Sequence, residues 1–304
     1  MKVGLCLVCF VSLLLSACLP VQRQPRPFLP HYPAASGSDF LGALSLDVKR
    51  LETLVHEAIL ANELVPETGV AVSVVRNGEF LWQGAWGYRD QHHHWPVTTE
   101  TRFPLASLSK TFSSWRVMTL QQEQKLSIHQ PLRTWLPDLV SGEDPALADL
   151  TLEDILSSQK STVKESLAYK LVDAVIEKVS AIGWEKDLRQ SVFVPLGWKR
   201  DSFSVTEMAR WVTLHAEGGR YLDQEFLSPA SFATLTRART EGQALGWHIR
   251  GAPGSEVFFQ SENMEGFLSL MVFIPSRHLG WVILTNQEQG PLIWKLSEAI
   301  EKAL

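Results

Sequence analysis

Ser107 stands three residues ahead of Lys110 in the stretch Arg102-Phe103-Pro104-Leu105-Ala106-Ser107-Leu108-Ser109-Lys110-Thr111-Phe112. A serine hydroxyl is a weak nucleophile, and an amine placed to take its proton activates it for attack on a carbonyl. At a predicted helix start, residues i and i+3 share one face, which brings the Lys110 amine toward the Ser107 hydroxyl. The helix dipole at that end stabilises developing negative charge. The pattern is short, and the chain repeats it at Ser157/Lys160 and Ser161/Lys164. Those two pairs read as polar turn and cap residues with solvated lysines. Context, not spacing, distinguishes the first pair.

The elements that must hold this pair are visible as hydrophobic periods. Val48, Leu51, Leu54, Val55, Ala58 and Ile59 recur at helical steps behind Ser45 and Asp47. Strand-like runs follow at Val70 to Val75 and Phe80 to Ala85, joined by Asn77-Gly78, a dipeptide suited to a tight hairpin. From about 107 to 238 the pattern is mostly helical. Strands return at Leu245 to Ile249, Val257 to Gln260, Phe267 to Ile274 and Trp281 to Leu284, before a helix from about Leu292 to Ala303. The predicted class is α+β: an antiparallel sheet built from both chain ends, flanked by helices, with a helical subdomain.

Composition bounds the function. The chain has 304 residues, 45% hydrophobic and 20% charged, enough to bury a large core and incompatible with disorder or a fibrous class. A formal charge of −5 leaves no basic excess to neutralise phosphates, so nucleic acid is not an expected partner. Cys6, Cys9 and Cys18 are the three cysteines; the rest of the chain has no thiol for a disulfide framework, a metal site or a nucleophile. Val3 to Leu15 is almost all apolar and short of the roughly 20 residues a membrane span needs, which reads as a secretory signal. Leu15-Ser16-Ala17-Cys18 resembles a bacterial lipobox, implying a signal over 1–17, lipidation of Cys18 and, with Leu19 next, the periplasmic face of an outer membrane. An ordinary cleaved signal and an uncleaved anchor are the alternatives. Residues 18–44 carry Pro20, Pro25, Pro27, Pro30 and Pro33 and read as a tether to a domain over 45–304. His92, His93 and His94 read as a solvated loop, and no metal or cofactor is expected. The eleven tryptophans and fourteen phenylalanines read chiefly as core, with Trp86, Trp211 and Trp247 worth placing relative to a site.

The flanks of Ser107 carry a resemblance. Gly69 to Gly78, Gly84-Ala85-Trp86-Gly87-Tyr88, Ala106 to Thr111, Leu150 to Leu156, Pro195-Leu196-Gly197-Trp198, Leu245-Gly246-Trp247, and Gly266-Phe267 through Ile274-Pro275 to Leu284-Thr285-Asn286 run in order from about 65 to 290. Together they resemble the serine β-lactamase and penicillin-binding-protein superfamily, nearest its class C and esterase-like branch. The resemblance implies a nucleophile at Ser107, a base at Lys110, and an oxyanion held by the backbone N–H groups of Ser107 and Asn263. Two family motifs are replaced. The Tyr-x-Asn motif falls on Lys164-Glu165-Ser166, and the Lys-Thr-Gly or His-x-Gly motif on Gln260-Ser261-Glu262. The loops before the first of these and after Trp198 are short for the family. Losing an acid or base partner costs about 10²- to 10⁴-fold in rate. Glu262 is expected to pair with Lys110 or Lys164 and to repel an anionic β-lactam. Two readings follow: a serine hydrolase forming an acyl-enzyme on an ester, amide or cell-wall-derived substrate, with Lys164 as proton shuttle; or an impaired relative that binds peptidoglycan fragments or acts as an envelope scaffold.

Overall fold

A computed structural model of the chain describes residues 44–61, 68–90, 95–104, 106–140, 145–158, 165–198, 203–239, 242–264, 266–287 and 290–304. Cys18, His92 to His94 and Lys164 lie outside these segments. Helix α1 (Leu44–Ala61) precedes β1 (Gly69–Arg76), β2 (Glu79–Asp90) and a short β3 (Trp95–Pro96). A 3-10 turn, Ala106–Ser109, leads into α2 (Lys110–Gln122). Then come α3 (Leu132–Trp135), α4 (Pro137–Val140), α5 (Pro145–Asp149), α6 (Leu152–Leu156), α7 (Glu165–Ser180), α8 (Trp184–Leu188) and α9 (Val205–Ala216). A two-residue ribbon, β4 (Arg220–Tyr221) with β5 (Gln224–Glu225), precedes α10 (Pro229–Thr236). Strands β6 (His248–Arg250), β7 (Val257–Met264), β8 (Phe267–Ile274) and β9 (Leu279–Thr285) and helix α11 (Leu292–Ala303) follow.

The sheet is antiparallel, seven-stranded and ordered β3-β2-β1-β9-β8-β7-β6. Val70 pairs with Thr285 and Val74 with Trp281, so the two ends of the chain meet at its centre, as the sequence pattern predicts. The first hairpin turns at Asn77 and Gly78 with φ of 53° and 80°, the left-handed pair a two-residue turn of this kind demands. The expected strand at Leu245 to Ile249 is shorter. Leu245 to Trp247 form a turn with Gly246 at φ 74°, whose N–H donates to Leu156 O. A Cβ at Gly246 would lie 2.1 Å from Ser114 Oγ on α2. Backbone therefore packs directly on the helix that follows the nucleophile.

Alternate residues of the central strands feed two cores. Val70, Val72 and Val74 join Leu51, Val55, Ile59, Trp281, Ile283, Leu296 and Ile300 beneath α1 and α11. Ala71, Val75, Val282 and Leu284 face α2, α9 and the helical subdomain. Trp86, Trp211 and Trp247 are all fully buried core residues. Among the described residues no helix is long and apolar enough to cross a membrane.

Helix α2 is buried along nearly its whole length, so its polar side chains need partners. Arg116 forms a two-pronged ion pair with Asp187 of α8, Nε to Oδ2 at 2.6 Å and Nη2 to Oδ1 at 3.0 Å. Ser113 donates to Asp173 of α7 at 2.7 Å. Burial pushes the Asp173 carboxyl up to about 6, with Glu177 adding to the effect. On the other side, His215 of α9 is fully buried among Trp115, Trp211, Trp247 and Phe273. Its Nδ1 donates to Trp211 O at 2.9 Å, and burial pushes the ring down to about 3.

Two predictions follow from the setting of α2. Asp187→Ala, which leaves the buried Arg116 guanidinium only the exposed Glu123 as a charged partner, should lower unfolding free energy by up to about 3–5 kcal/mol, and the apolar pair Arg116→Met/Asp187→Leu should recover much of that loss in urea titrations. The second concerns pH. A raised Asp173 lets the folded chain bind more protons than the unfolded one, so its contribution falls as pH rises from about 4 to about 6. The depressed His215 works the other way, its contribution rising from about pH 3 to about 6.5. Asp173→Asn should therefore make the melting temperature climb more steeply between about pH 4 and 6 than in the native chain; parallel profiles would contradict the assignment.

Candidate active site

Ser107 lies in the 3-10 turn and Lys110 is the first residue of α2. Residues three apart across a helix start lie on one face, so both side chains leave the backbone on the same side. The approach to the turn is fixed by a reciprocal backbone bridge, Phe103 N to Phe203 O at 3.0 Å and Phe203 N to Phe103 O at 3.3 Å. Behind it, Phe112 of α2 sits in an aromatic cage of Phe193, Trp198, Phe203 and Trp211, with ring centroids 4.7 to 5.9 Å away. Trp211 Nε1 donates to Thr111 Oγ1 at 3.1 Å, and Thr111 Oγ1 donates to Leu108 O at 2.8 Å. The residues around the nucleophile are thus pinned from below by packing and from the side by hydrogen bonds.

Strand β7 supplies the opposite wall. Its alternation sends Phe258, Gln260 and Glu262 toward α2, and Ser261 and Asn263 toward α11. Strand β6 covers only Val257 to Phe259, so the β7 edge beyond Gln260 is open and its free N–H groups face the cleft.

The carboxylate of Glu262 occupies this cleft. Oε2 accepts from Ser107 N at 2.6 Å, across 155 residues of sequence. Oε1 accepts from Asn263 N at 2.9 Å. These are the two backbone donors that the family resemblance assigns to the oxyanion. Glu262, expected to pair with a lysine, instead places one oxygen on each. Hydrogen bonds to a charged group contribute about 1.5–3 kcal/mol each, so the contact is not a loose one. A reaction oxyanion cannot share the position: two like charges 4 Å apart repel by about 4 kcal/mol at an effective dielectric near 20.

Lys110 Nζ lies 5.4 Å from the ring centroid of Tyr169 on α7, a cation–π distance. Tyr169 and Asp173 are four residues apart and share the face of α7 that meets α2, which is the local signal by which the sequence could have flagged them. Ser166 falls in the first turn of α7; Lys164, the expected shuttle, lies outside the described residues. Gln260 is buried, Ser261 half-buried and Asn263 exposed. Ser157 caps α6, its hydroxyl donating to Glu153 O at 2.6 Å. Among the described residues no cluster of side chains is arranged to hold a metal ion.

Residues 63–160 match the family model described as Beta-lactamase. A D-aminopeptidase of Brucella canis is 37% identical over 106 residues, 35% of this chain and 20% of that protein. Esterase EstB of Burkholderia gladioli is 32% identical over 111 residues, 34% of this chain and 28% of the esterase. The chain therefore spans well under half of these relatives' length. Among solved structures, a β-lactamase/D-alanine carboxypeptidase from Pseudomonas syringae superposes with a TM-score of 0.69 at 16% identity, covering 86% of this chain and 99% of that one, which is a likeness of fold. Local sequence match over residues 63–160 and a shared fold make the chain similar to the serine β-lactamases and penicillin-binding proteins.

Proposed function

We propose that the chain is a serine acyl hydrolase acting on an ester, amide or peptidoglycan-derived substrate through an acyl-enzyme at Ser107. The observation that carries this reading is the convergence of the Ser107 and Asn263 N–H groups on one anion-sized position at the β7 edge, where Glu262 now sits. A site that binds a carboxylate through two backbone donors has the means to bind an oxyanion. In the forward step Ser107 Oγ bonds to the carbonyl carbon, its proton passes to Lys110 Nζ, and the carbonyl π pair moves onto oxygen between the two N–H groups. Collapse of that intermediate restores the carbonyl and breaks the bond to the leaving oxygen or nitrogen, which takes the proton from Lys110. Water then cleaves the Ser107 ester by the same route in reverse. Relatives named D-aminopeptidase and esterase support the amide and ester classes. The reading includes an envelope location, with Cys18 lipidated at the periplasmic face of the outer membrane, supported by Leu15-Ser16-Ala17-Cys18.

The same Glu262 contact favours a second reading, in which turnover is lost and the cleft serves binding or scaffolding at the envelope. A fluorophosphonate probe applied to the full-length protein separates the two. The hydrolase reading expects labelling that vanishes in Ser107→Ala, slows by about 10²- to 10⁴-fold in Lys110→Ala, and quickens in Glu262→Ala because the N–H groups are vacated. A fluorescent penicillin should label poorly, its carboxylate opposed by Glu262. No labelling of either the native chain or Glu262→Ala, each shown to unfold cooperatively, would leave the binding reading.

A further inference from the structure

A lysine places a proton well only if its side chain is held, because the amine rides on a flexible four-carbon stem whose rotamer freedom is lost on ordering. The hydrolase reading needs Lys110 held where it can take the Ser107 proton and then pass it to the leaving group. Helices α2 and α7 meet there in a ladder of side-chain contacts. On one rung Ser113 donates to Asp173 at 2.7 Å, and Trp184 Nε1 donates to the same Ser113 hydroxyl at 3.3 Å. Lys110 precedes Ser113 by three residues and Tyr169 precedes Asp173 by four. The rung one turn nearer the nucleophile is therefore Lys110 over Tyr169, with Nζ 5.4 Å from the ring centroid. Tyr169 is half-buried and packed against the main core, which fixes its ring as a platform. The Glu262 carboxylate is committed to backbone N–H groups, whereas this platform under the lysine is uncharged.

We propose that Tyr169 is a positioning residue whose ring, and not its hydroxyl, holds Lys110 for proton transfer. The inference rests on the hydrolase reading. The face of an aromatic ring attracts an ammonium through its quadrupole and is nearly indifferent to a neutral amine. The contact therefore strengthens as the Ser107 proton arrives at Nζ and Oγ bonds to the carbonyl carbon. It is given up when that proton passes to the leaving oxygen or nitrogen and the bond to the carbonyl carbon breaks. A carboxylate in the same place would hold the ammonium far more tightly and resist the second transfer. Tyr169 does not fall on the tyrosine of the Tyr-x-Asn motif, a position taken by Lys164. It stands five residues further along and contributes a ring face in place of a hydroxyl proton.

The test is a double-mutant cycle on the full-length protein, read as the rate at which Ser107 takes up a fluorophosphonate, in the native chain and in Glu262→Ala. Tyr169→Leu should slow uptake by about 3- to 30-fold, the range of a partly to fully desolvated contact between a cation and a ring. Tyr169→Phe, which keeps the ring, should stay within about twofold of native. With Lys110→Ala in place, Tyr169→Leu should add less than about twofold, because the ring then has no ammonium to hold. With p-nitrophenyl acetate as substrate, the Tyr169→Leu loss should fall on kcat and leave KM unchanged. Uptake at the native rate in Tyr169→Leu, or a loss of equal size with and without Lys110, overturns the positioning role and leaves the hydrolase intact; the second result marks damage to the packing of α7. A Tyr169→Phe loss as large as that of Tyr169→Leu overturns the ring in favour of the hydroxyl. Absence of Ser107 labelling in both the native chain and Glu262→Ala overturns the hydrolase reading and the positioning role with it.

Discussion

The contact between the Ser107 N–H and the Glu262 carboxylate joins two parts of the chain 155 residues apart, and much of the fold serves to make it possible. The 3-10 turn must be held against the sheet, and β7 must present an uncovered edge at the matching height. The aromatic cage around Phe112 and the Phe103–Phe203 bridge meet the first requirement. The shortness of β6, which stops pairing at Phe259, meets the second. Had β6 continued along β7, the Asn263 N–H would be spent on a neighbouring strand and no anion position would exist.

Holding a helix this deeply has an electrostatic consequence. Helix α2 carries Ser113, Ser114 and Arg116 into the interior, and a buried polar group without a partner is costly. Each is answered differently: Ser114 by Lys110 O within its own helix, Ser113 by a carboxyl that burial itself makes reluctant to ionise, and Arg116 by a full ion pair to α8. These contacts also fix where α7 and α8 lie, and thereby place the Tyr169 ring beneath Lys110. The contacts that stabilise the helical subdomain and those that orient the site are therefore the same contacts.

The fold fixes Ser107 and the two backbone donors of Ser107 and Asn263 independently of the side chains around them. In this chain one strand residue, Glu262, fills the anion position. A glycine there would let substrate lie against β7; Glu262 instead supplies an anion of its own to the donors. Backbone groups survive such substitutions because every residue carries an N–H, which is why the anion position persists after the side chains around it have changed. The chemical character of the cleft then depends on what can move one flexible carboxylate.

The sequence by itself determined what is local. Apolar runs of strand length marked the central strands, 3- and 4-residue steps marked α1, Asn77-Gly78 marked the first turn, and Ser107 with Lys110 was legible because both residues sit within one turn of backbone. The lengths of β6 and β7 were less legible. Leu245 to Trp247 look like strand by composition and turn instead, because Gly246 yields its N–H to Leu156 O and its empty side to Ser114. Only the tertiary structure decided where the Glu262 carboxylate goes and that Tyr169 lies under Lys110. A side chain with several free torsions chooses its partner from whatever the packed chain brings within reach, and nothing in the residues adjacent to Glu262 records that the nearest donor is the backbone of Ser107.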